Sequence, residues 1–404
     1  MYRSIILISI LTLACVSRNR SQPSDHSSDE KVNIQDYAVM MGNTVLEKYP
    51  DLWSMDKYHS PHWAYTYGVV CSAMLDLWKY TDDQKYYNYA KAYIDSLVDE
   101  NGQIKTYKKK DYNLDKINSG KLLFTFYEIT GDQRYKTAMD TLWQQLREQP
   151  RTEIGGFWHK KIYPHQMWLD GLYMAGPFYC RYAVLFNKKE SIDEVVRWFI
   201  NTEKVTRDPE TGLLYHGWDE SRAQKWADPE TGRSQNFWGR GMGWYAMALV
   251  DLLDYLPQDH PGYYEITGII SRLAEAVVRY QDDGTGVWYQ VVDQGGREGN
   301  FLEGSVSAMF SYFLLKAVNK GYLDREIYFR PSEKAFRGMI TNLVKIKEDG
   351  SLNITPVCAV AGLGGDPYRD GSYDYYIHEM QRDNDPKAVG PFIMAAIQFD
   401  KLTR

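Results

Sequence analysis

Apolar residues recur along the chain at the spacing of one face of an α-helix. Val70, Ala73, Met74, Leu77 and Trp78 follow the order i, i+3, i+4, i+7, i+8, which is typical of a helix that buries one side. The same spacing returns in other segments, which together predict about twelve helices. The predicted helices lie near residues 34–48, 65–80, 84–98, 119–130, 133–148, 167–185, 191–205, 240–256, 262–281, 304–319, 327–344 and 389–401.

Turns that contain glycine separate these predicted helices. Gly102, Gly156, Gly212, Gly286 and Gly350 each stand before inward-turning apolar residues, and successive glycines are 54, 56, 74 and 64 residues apart. Each interval has room for two helices and a loop, so the pattern predicts a repeat of helical hairpins. Six hairpins can close into a double ring, and we therefore predict an all-α fold, the (α/α)6 barrel. An open helical solenoid is the alternative, because periodicity does not show closure.

The N-terminus has the pattern of an export signal. Arg3 precedes an apolar stretch over residues 5–14, which is about as long as the hydrophobic part of a signal peptide. Cys15 follows Leu13 and Ala14, as at a bacterial lipoprotein cleavage site. We therefore expect export, either to the periplasm or to a bacterial membrane through a lipid anchor at Cys15. The predicted divisions are a signal peptide over residues 1–15, a flexible tether over 16–33 and a barrel domain over 34–404.

Composition narrows the classes of partner. The 404 residues include 47 Lys+Arg and 53 Asp+Glu, with a net charge of −6, whereas a nucleic-acid-binding protein has a basic surface. The 33 tyrosines and 12 tryptophans suit sugar rings, although they suit a packed core equally well. The histidines form no HExxH motif and no cluster with cysteine, so we predict no metal and no other cofactor. Cys71, Cys180 and Cys358 lie in apolar sequence and are expected in the core.

Two aspartates stand out among the candidate catalytic residues. Asp170 is flanked by Trp168 and Leu169 on one side and Leu172 on the other, and apolar surroundings are expected to raise the pKa of its carboxyl. Such a carboxyl can act as a general acid. The alternative is that Asp170 caps the following helix through its backbone N–H groups. Asp115 has the same two interpretations before the helix near residue 119.

Arg240 is a candidate for binding an anion. It lies between Gly239 and Gly241, and Trp244 follows one helical turn later on the same side. An arginine beside an aromatic ring could hold a carboxylate while the ring stacks on a sugar. An internal ion pair of Arg240 is the alternative.

Several long segments together resemble glycoside hydrolase family 105, which is related to the unsaturated glucuronyl hydrolases of family 88. They occur in one order over roughly residues 35–404. The segments are YNLDKINSGKLLF, MWLDGLYMAGPF, HGWDE, WGRGMGWY, GVWYQVVD, FLEGSVSAMFSYFLLKAV and VAGLGGDPYRDGSYDYYIHE. The resemblance implies an (α/α)6 barrel and an enzyme that removes a 4,5-unsaturated uronic acid from the non-reducing end of an oligosaccharide. By this resemblance, protonation of the enol ether at C4 and addition of water at C5 would lead to cleavage of the glycosidic bond between the uronic acid and the next sugar.

The resemblance also implies roles for particular residues. Asp170 would be the general acid and base, and Asp115 the supporting carboxylate that helps to keep Asp170 protonated. Substrate-binding positions of the family fall on the following residues: His159, Trp168, His216, Arg240 and Trp244.

The expected substrate is a rhamnose-containing product of rhamnogalacturonan, a pectin polysaccharide, and three alternatives stay open from the sequence. The first is the same reaction on a product of ulvan, with or without sulfate. An exported protein rich in tryptophan could also bind glycans without catalysis. A toroidal polysaccharide lyase would instead create the unsaturated bond, and it would need a Tyr/His base. Absorbance of the unsaturated bond distinguishes a hydrolase, which removes it, from a lyase and from a binding protein.

Overall fold

The computed structural model describes Met1 and residues 36–404. The predicted cleavage site, the lipid anchor at Cys15 and the tether therefore lie outside the described residues. Within residues 36–404, none of the helices combines the length and the apolarity that a membrane crossing requires.

Helices dominate the described part of the chain. The α-helices are α1 Asp36–Lys48, α2 Tyr65–Thr81, α3 Gln84–Leu97, α4 Lys121–Thr130, α5 Gln133–Glu148, α6 Leu169–Leu185, α7 Lys189–Thr206, α8 Gly239–Leu252, α9 Tyr263–Arg279, α10 Gly304–Asn319, α11 Arg325–Asn342, α12 Tyr373–Ile377 and α13 Pro386–Thr403. Three antiparallel pairs are formed by the short strands β1 Gln166–Trp168, β2 Gly217–Asp219, β3 Val344–Ile346, β4 Leu352–Ile354, β5 Val357–Cys358 and β6 Gln381–Arg382.

The helices form an inner and an outer ring, and their sequences explain the division. Helix α8 reads GRGMGWYAMALVDL and is buried almost throughout, because a helix that is apolar all round is stable only inside. Helix α5 reads QRYKTAMDTLWQQLRE and buries a single face. By this criterion the inner helices are α2, α4, α6, α8, α10 and α13, and the outer helices are α1, α3, α5, α7, α9 and α11.

The inner ring is closed. Helix α13 packs against α10 on one side and against α2 on the other, and α6 packs against α8 and against the 3-10 helix Leu114–Gly120 that leads into α4. This closure confirms the all-α (α/α)6 barrel and excludes the open solenoid. Cys71, Cys180 and Cys358 are free and buried, as predicted.

The connections at the two ends of the barrel differ in length. Inner helices lead to outer helices through short loops, such as residues 82–83 and 131–132, whereas the return connections are long, such as 149–168 and 207–238. Because each connection reverses the chain direction, all the inner helices run the same way and their N-termini share one rim. The candidate residues Asp115, Asp170 and His216 lie in the long loops of this N-terminal rim or at the helix starts that follow them.

Two predicted helix starts were too early, for reasons that concern the site. The helix predicted from residue 167 begins at Leu169, because Gln166–Trp168 pairs as β1 with β2. The α-helix predicted from residue 119 begins at Lys121, because the residues before it form the 3-10 helix Leu114–Gly120. Helix α12 and the strand pairs were not predicted, since they are too short to show a period.

Candidate active site

The β1–β2 pair brings Asp170 and His216 together. Trp168 of β1 pairs with Gly217 of β2, and the backbone N–H of Leu169 donates to the carbonyl of His216 over 3.1 Å. Helix α6 therefore starts beside His216, with Asp170 in its first turn. Nε2 of the buried His216 lies 3.3 Å from Oδ2 of Asp170.

Asp170 is not a helix cap. The residue at the cap position is Trp168, which makes no side-chain capping hydrogen bond. Oδ2 of Asp170 and Nε2 of His216 are both buried, and neither has a well-oriented hydrogen-bond partner among the described residues. Since buried polar atoms are normally satisfied, these two atoms are available to a substrate.

Asp115 belongs to a second carboxylate–histidine pair. Its Oδ1 lies 3.5 Å from Nε2 of His159, and its Oδ2 lies 2.6 Å from Nζ of Lys160. The side chain that caps the 3-10 helix is that of Asn113, which accepts from the backbone N–H of Asp115 over 3.0 Å. The interpretation of Asp115 as a cap is therefore wrong as well.

Trp168 separates the two pairs. Its ring is stacked with that of His159 at 4.5 Å and with that of Tyr163 at 4.9 Å, and it meets His216 edge-on at 5.6 Å. Gly171 allows this packing, because a Cβ at that position would come within 2.8 Å of Leu114 and 3.3 Å of His159. Trp168 thus forms a wall shared by both carboxylates.

The expected pKa shift of Asp170 is wrong in direction. Burial favours the protonated carboxyl, but interaction with His216 and the positive charge of His216 and His159 outweigh burial and the charge of Asp115, so the pKa of Asp170 is lowered. The sequence shows the apolar neighbours of Asp170 but not the imidazole that meets it. In the unliganded protein Asp170 is therefore ionised at neutral pH, and Asp115 does not keep it protonated.

The carboxyl of the second pair, Asp115 and His159, is also ionised at neutral pH. Burial raises the pKa of Asp115, but Lys160 and His159 outweigh burial and lower it. Burial lowers the pKa of His159 to about 4, against the opposing influence of Asp115. At neutral pH this pair is therefore a carboxylate held by an ammonium, with a neutral imidazole beside it.

Arg240 points into the protein rather than standing free at the rim. One of its terminal nitrogens, Nη1, donates to the carbonyl of Cys358 and lies 3.5 Å from Oγ of Ser305. Its guanidinium lies 5.0 Å from the Trp238 ring centroid, so the neighbouring aromatic ring is that of Trp238. A Cβ at position 241 would lie 3.2 Å from the His216 ring, so Gly241 allows this ring to pack against helix α8. Nε of Arg240 has no hydrogen-bond partner among the described residues.

Trp244 lies one turn deeper in the barrel. Its ring is stacked with that of Tyr173 at 4.7 Å and meets Tyr65 edge-on at 6.3 Å. The structure therefore brings Asp115, His159, Trp168, Asp170 and His216 together, with Arg240 next to Trp238 and Trp244 next to Tyr65. Burial raises the pKa of Tyr65 well above its ordinary value, Asp115 acts in the same direction and Arg240 in the opposite one.

Sequence reasoning missed three residues at this rim. Lys160 holds Asp115 and follows His159 directly, so its position next to a candidate was a usable signal. Tyr65 begins α2 and carries no pattern of its own. Tyr376 contacts Nδ1 of His216 at 2.7 Å, and its presence in the family-like segment 360–379 was the available signal.

The rim favours anions and offers no metal ligands in a cluster. The N-termini of the inner helices carry partial positive charge, and Lys160 and Arg369 add full positive charge near Trp168. Among the residues that the structure describes, no group of three or more His, Cys, Asp or Glu side chains could hold a metal. Independence from metal stays a prediction, and unchanged activity after chelation would test it.

Comparisons with known proteins identify the family to which the chain belongs. The profile of the family described as Glycosyl Hydrolase Family 88 matches residues 37–403. A solved glycoside hydrolase of family 105 from C. acetobutylicum ATCC 824 is 40% identical, with a TM-score of 0.86 over 90% of this chain and 99% of that chain. The protein is thus a glycosidase. It belongs to the family 88 group of glycosyl hydrolases and, within that group, to family 105.

Two curated relatives carry names that concern substrates. The unsaturated rhamnogalacturonyl hydrolase YesR of Bacillus subtilis is 26% identical over 297 residues, which are 72% of this chain and 78% of the relative. The unsaturated 3S-rhamnoglycuronyl hydrolase of Formosa agariphila is 28% identical over 183 residues, which are 43% of this chain and 45% of the relative.

Proposed function

We propose that the protein removes a 4,5-unsaturated uronic acid from the non-reducing end of oligosaccharides whose next sugar is rhamnose. The observation that carries the proposal is the contact between Asp170 and His216, with two buried atoms left without partners at an anion-favouring rim. The names of the relatives support the unsaturated uronyl group and the rhamnose. The predicted signal peptide would place the reaction outside the cytoplasm.

Asp170 supplies the proton in this reaction. Its carboxyl gives a proton to C4 of the enol ether, and the carboxylate that remains takes a proton from the water that adds at C5. The C5 hemiketal opens to a ketone, which leaves C1 as a hemiacetal, and the hemiacetal releases the aglycone as an alcohol. One group therefore serves first as acid and then as base, and no second carboxylate has to attack the sugar.

Binding of the substrate is expected to raise the pKa of Asp170, so that its carboxyl takes up a proton. The pKa of Asp170 is lowered in the unliganded protein because His216 and His159 outweigh burial. A bound uronate brings a second negative charge and excludes water, and both effects raise the pKa of a neighbouring carboxyl. Binding is therefore expected to be coupled to proton uptake, so that the rate falls as pH rises.

The remaining rim residues bind the sugar in this scheme. Asp115, held by Lys160 and facing His159, accepts hydrogen bonds from sugar hydroxyls. Trp168 and Trp244 supply apolar faces, although each already packs on other rings. The free Nε of Arg240 and the helix N-termini meet the uronate charge.

A sulfated aglycone from ulvan is the second candidate. It is favoured by the relative from Formosa agariphila, whose name specifies a 3S-rhamnoglycuronyl substrate, and by the basic Lys160 beside the site. The longer match to the rhamnogalacturonyl hydrolase of Bacillus subtilis favours the unsulfated rhamnose.

Absorbance of the unsaturated bond tests the proposal. Purified protein is given lyase digests of rhamnogalacturonan, ulvan and glycosaminoglycans, and the absorbance is followed with Asp170→Asn as the control. We expect loss of absorbance on rhamnogalacturonan digests with wild type alone. Loss on ulvan digests alone would support the sulfated candidate, a gain on intact polysaccharide would indicate a lyase, and binding without change would indicate a glycan-binding protein.

A further inference from the structure

Tyr376 meets His216 on the side away from Asp170. It lies in α12, 160 residues further along the chain, and its hydroxyl oxygen is 2.7 Å from Nδ1 of His216. Its ring is fully buried and stacked with Trp238 at 5.8 Å. Its backbone carbonyl accepts from the side chain of Gln290 over 3.1 Å. The hydroxyl is therefore held in a fixed place by contacts that do not involve the substrate.

We propose that Tyr376 is a positioning residue that fixes the His216 ring with its proton on Nε2 and so directs that proton at Asp170. This inference rests on the proposed role of Asp170 as the acid and base. It adds a residue that acts through His216 and does not itself touch the sugar.

The direction of the hydrogen bond follows from the partners of the hydroxyl. Burial raises the pKa of Tyr376 well above its ordinary value, so the phenol keeps its proton. Among the described residues, Nδ1 of His216 is the hydrogen-bond partner found for this hydroxyl, and a buried donor left without an acceptor is unfavourable. The hydroxyl therefore donates to Nδ1, and the neutral imidazole must carry its own proton on Nε2.

The same contact decides where an added proton goes. If His216 took the proton on Nδ1, the Tyr376 hydroxyl would have to turn its own proton into a buried space where no acceptor is found among the described residues. Asp170 pays no such penalty, because Oδ2 faces Nε2 at 3.3 Å and has no other partner. Tyr376 thus favours protonation of Asp170 over protonation of His216 when the substrate binds.

Other charged groups face these three residues and are common to every variant below. His159 and Asp115 act on Asp170, and Arg369, Cys358 and Tyr375 act on Tyr376. Substitution of Tyr376 by phenylalanine changes none of them.

The test compares Tyr376→Phe with wild type by ¹⁵N NMR of histidine-labelled protein, the His216 signals being assigned with a His216→Gln variant. Tyr376→Phe keeps the ring that packs on Trp238 and removes the hydroxyl alone. We expect His216 in wild type to be protonated on Nε2 and bare on Nδ1 at neutral pH, and Tyr376→Phe to show a mixture that includes Nδ1–H. The kcat should fall about 10-fold or more, in line with loss of a charge-linked hydrogen bond, with KM nearly unchanged.

The matched control is Tyr373→Phe, which removes another partly buried hydroxyl of α12 that contacts the carbonyls of Arg297 and Glu298. It should leave the His216 signals and kcat unchanged. An Nδ1–H tautomer in wild type, an unaltered tautomer in Tyr376→Phe, or an unaltered kcat in that variant would each overturn the inference. Because the NMR measurement needs no substrate, it stands apart from the digest assay, in which wild type inactive on every digest would overturn the proposed function.

Discussion

The two ends of the barrel both hold buried acids beside bases, but they use them differently. At the C-terminal mouth, Nζ of Lys316 lies 2.7 Å from Asp251, 2.6 Å from Asp254 and 3.0 Å from the hydroxyl of Tyr312. All three donor positions of that ammonium are thus occupied. At the N-terminal rim, Oδ2 of Asp170 and Nε2 of His216 lie 3.3 Å apart without a well-oriented hydrogen bond, and neither atom has another partner among the described residues.

The presence or absence of hydrogen-bond partners distinguishes a stabilising cluster from a candidate active site better than the size of the cavity does. A cavity of about 490 Å³ lies at the C-terminal mouth, lined by Lys316, Asp251 and Asp254 among others. Its central ion network is satisfied by its own members, which is what a stabilising cluster requires. The rim has unsatisfied buried atoms, which native proteins rarely keep without a use. Substitutions at the two ends should therefore have opposite consequences for activity and stability.

The largest effect is expected for Asp170→Asn at the rim. The amide keeps the size of the carboxyl but can neither give a proton to C4 nor take one from water, so activity should fall by at least ~10²–10⁴-fold. The melting temperature should stay close to that of wild type. Turnover is followed by absorbance of the unsaturated bond, and folding by circular dichroism. A folded Asp170→Asn that turns over at near wild-type rate would make Asp115 the leading acid.

The reverse is expected for Asp251→Asn at the C-terminal mouth. It replaces one carboxylate beside a buried ammonium by a neutral amide, whose oxygen can still accept from the Tyr312 hydroxyl, so the free energy of unfolding should fall by about 3 kcal/mol through loss of the charge alone. The kcat and KM should stay at wild-type values, because the substitution lies at the other end of the barrel. Urea unfolding and the absorbance assay measure the two quantities. A variant with normal stability and reduced kcat would show that the two ends are not separate in function.

The barrel fold could be predicted from the sequence because long helices repeat their apolar period many times. Helices such as α6 and α10 are buried over most of their length, so their apolar spacing reports on one fixed environment. Elements of five residues or fewer, such as α12 and β1, show no period. The site depends on these short elements, since β1 places Asp170 and α12 carries Tyr376.

Long-range partners explain where the residue-level predictions were wrong. The pKa of Asp170 was expected to rise because only its chain neighbours were visible, whereas His216 and His159, which outweigh burial, come from other segments. Gly241, beside Arg240, is needed because a Cβ there would lie 3.2 Å from the ring of His216, a residue of another segment. The contact of Arg240 with Cys358 spans 118 residues. Spacing along a chain carries no information about contacts of this kind.

An intermediate effect is expected for Arg240→Lys. An ammonium cannot reproduce both the contacts of Nη1 and Nη2 with Cys358 and the free Nε. If Arg240 meets the uronate, KM should rise by up to about 10-fold while kcat changes less. The matched control is Arg181→Lys at the C-terminal mouth, where the guanidinium pairs with Glu128, and KM should not change. A lower melting temperature with unchanged KM would assign Arg240 to the internal network alone.

The smallest effect is expected for Lys121→Met, at a charge of the C-terminal mouth that lacks the ion partners of Lys316. Nζ of Lys121 is buried without a hydrogen-bond partner and lies 3.5 Å from the Tyr173 ring centroid. Burial lowers the pKa of Lys121 to about 7, a net result in which Asp251 opposes burial and Lys316 adds to it. The unfolded chain, with an ordinary lysine pKa near 10.4, binds more protons than the folded chain between these two values. The stability contribution of Lys121 is therefore least favourable below pH 7 and improves as pH rises towards 10.

Methionine keeps the unbranched alkyl chain and removes the charge. Lys121→Met should therefore raise the melting temperature at pH 6 by a few degrees, and the gain should shrink at pH 9, where the folded wild type has already released the proton. The exposed Lys401 lines the same mouth, and Lys401→Met should show no such pH dependence. If the contact with the Tyr173 ring outweighs the burial of the charge, Lys121→Met will instead melt lower than wild type at both pH values. In that case Lys121 joins Lys316 as a satisfied charge, and the C-terminal mouth is structural throughout.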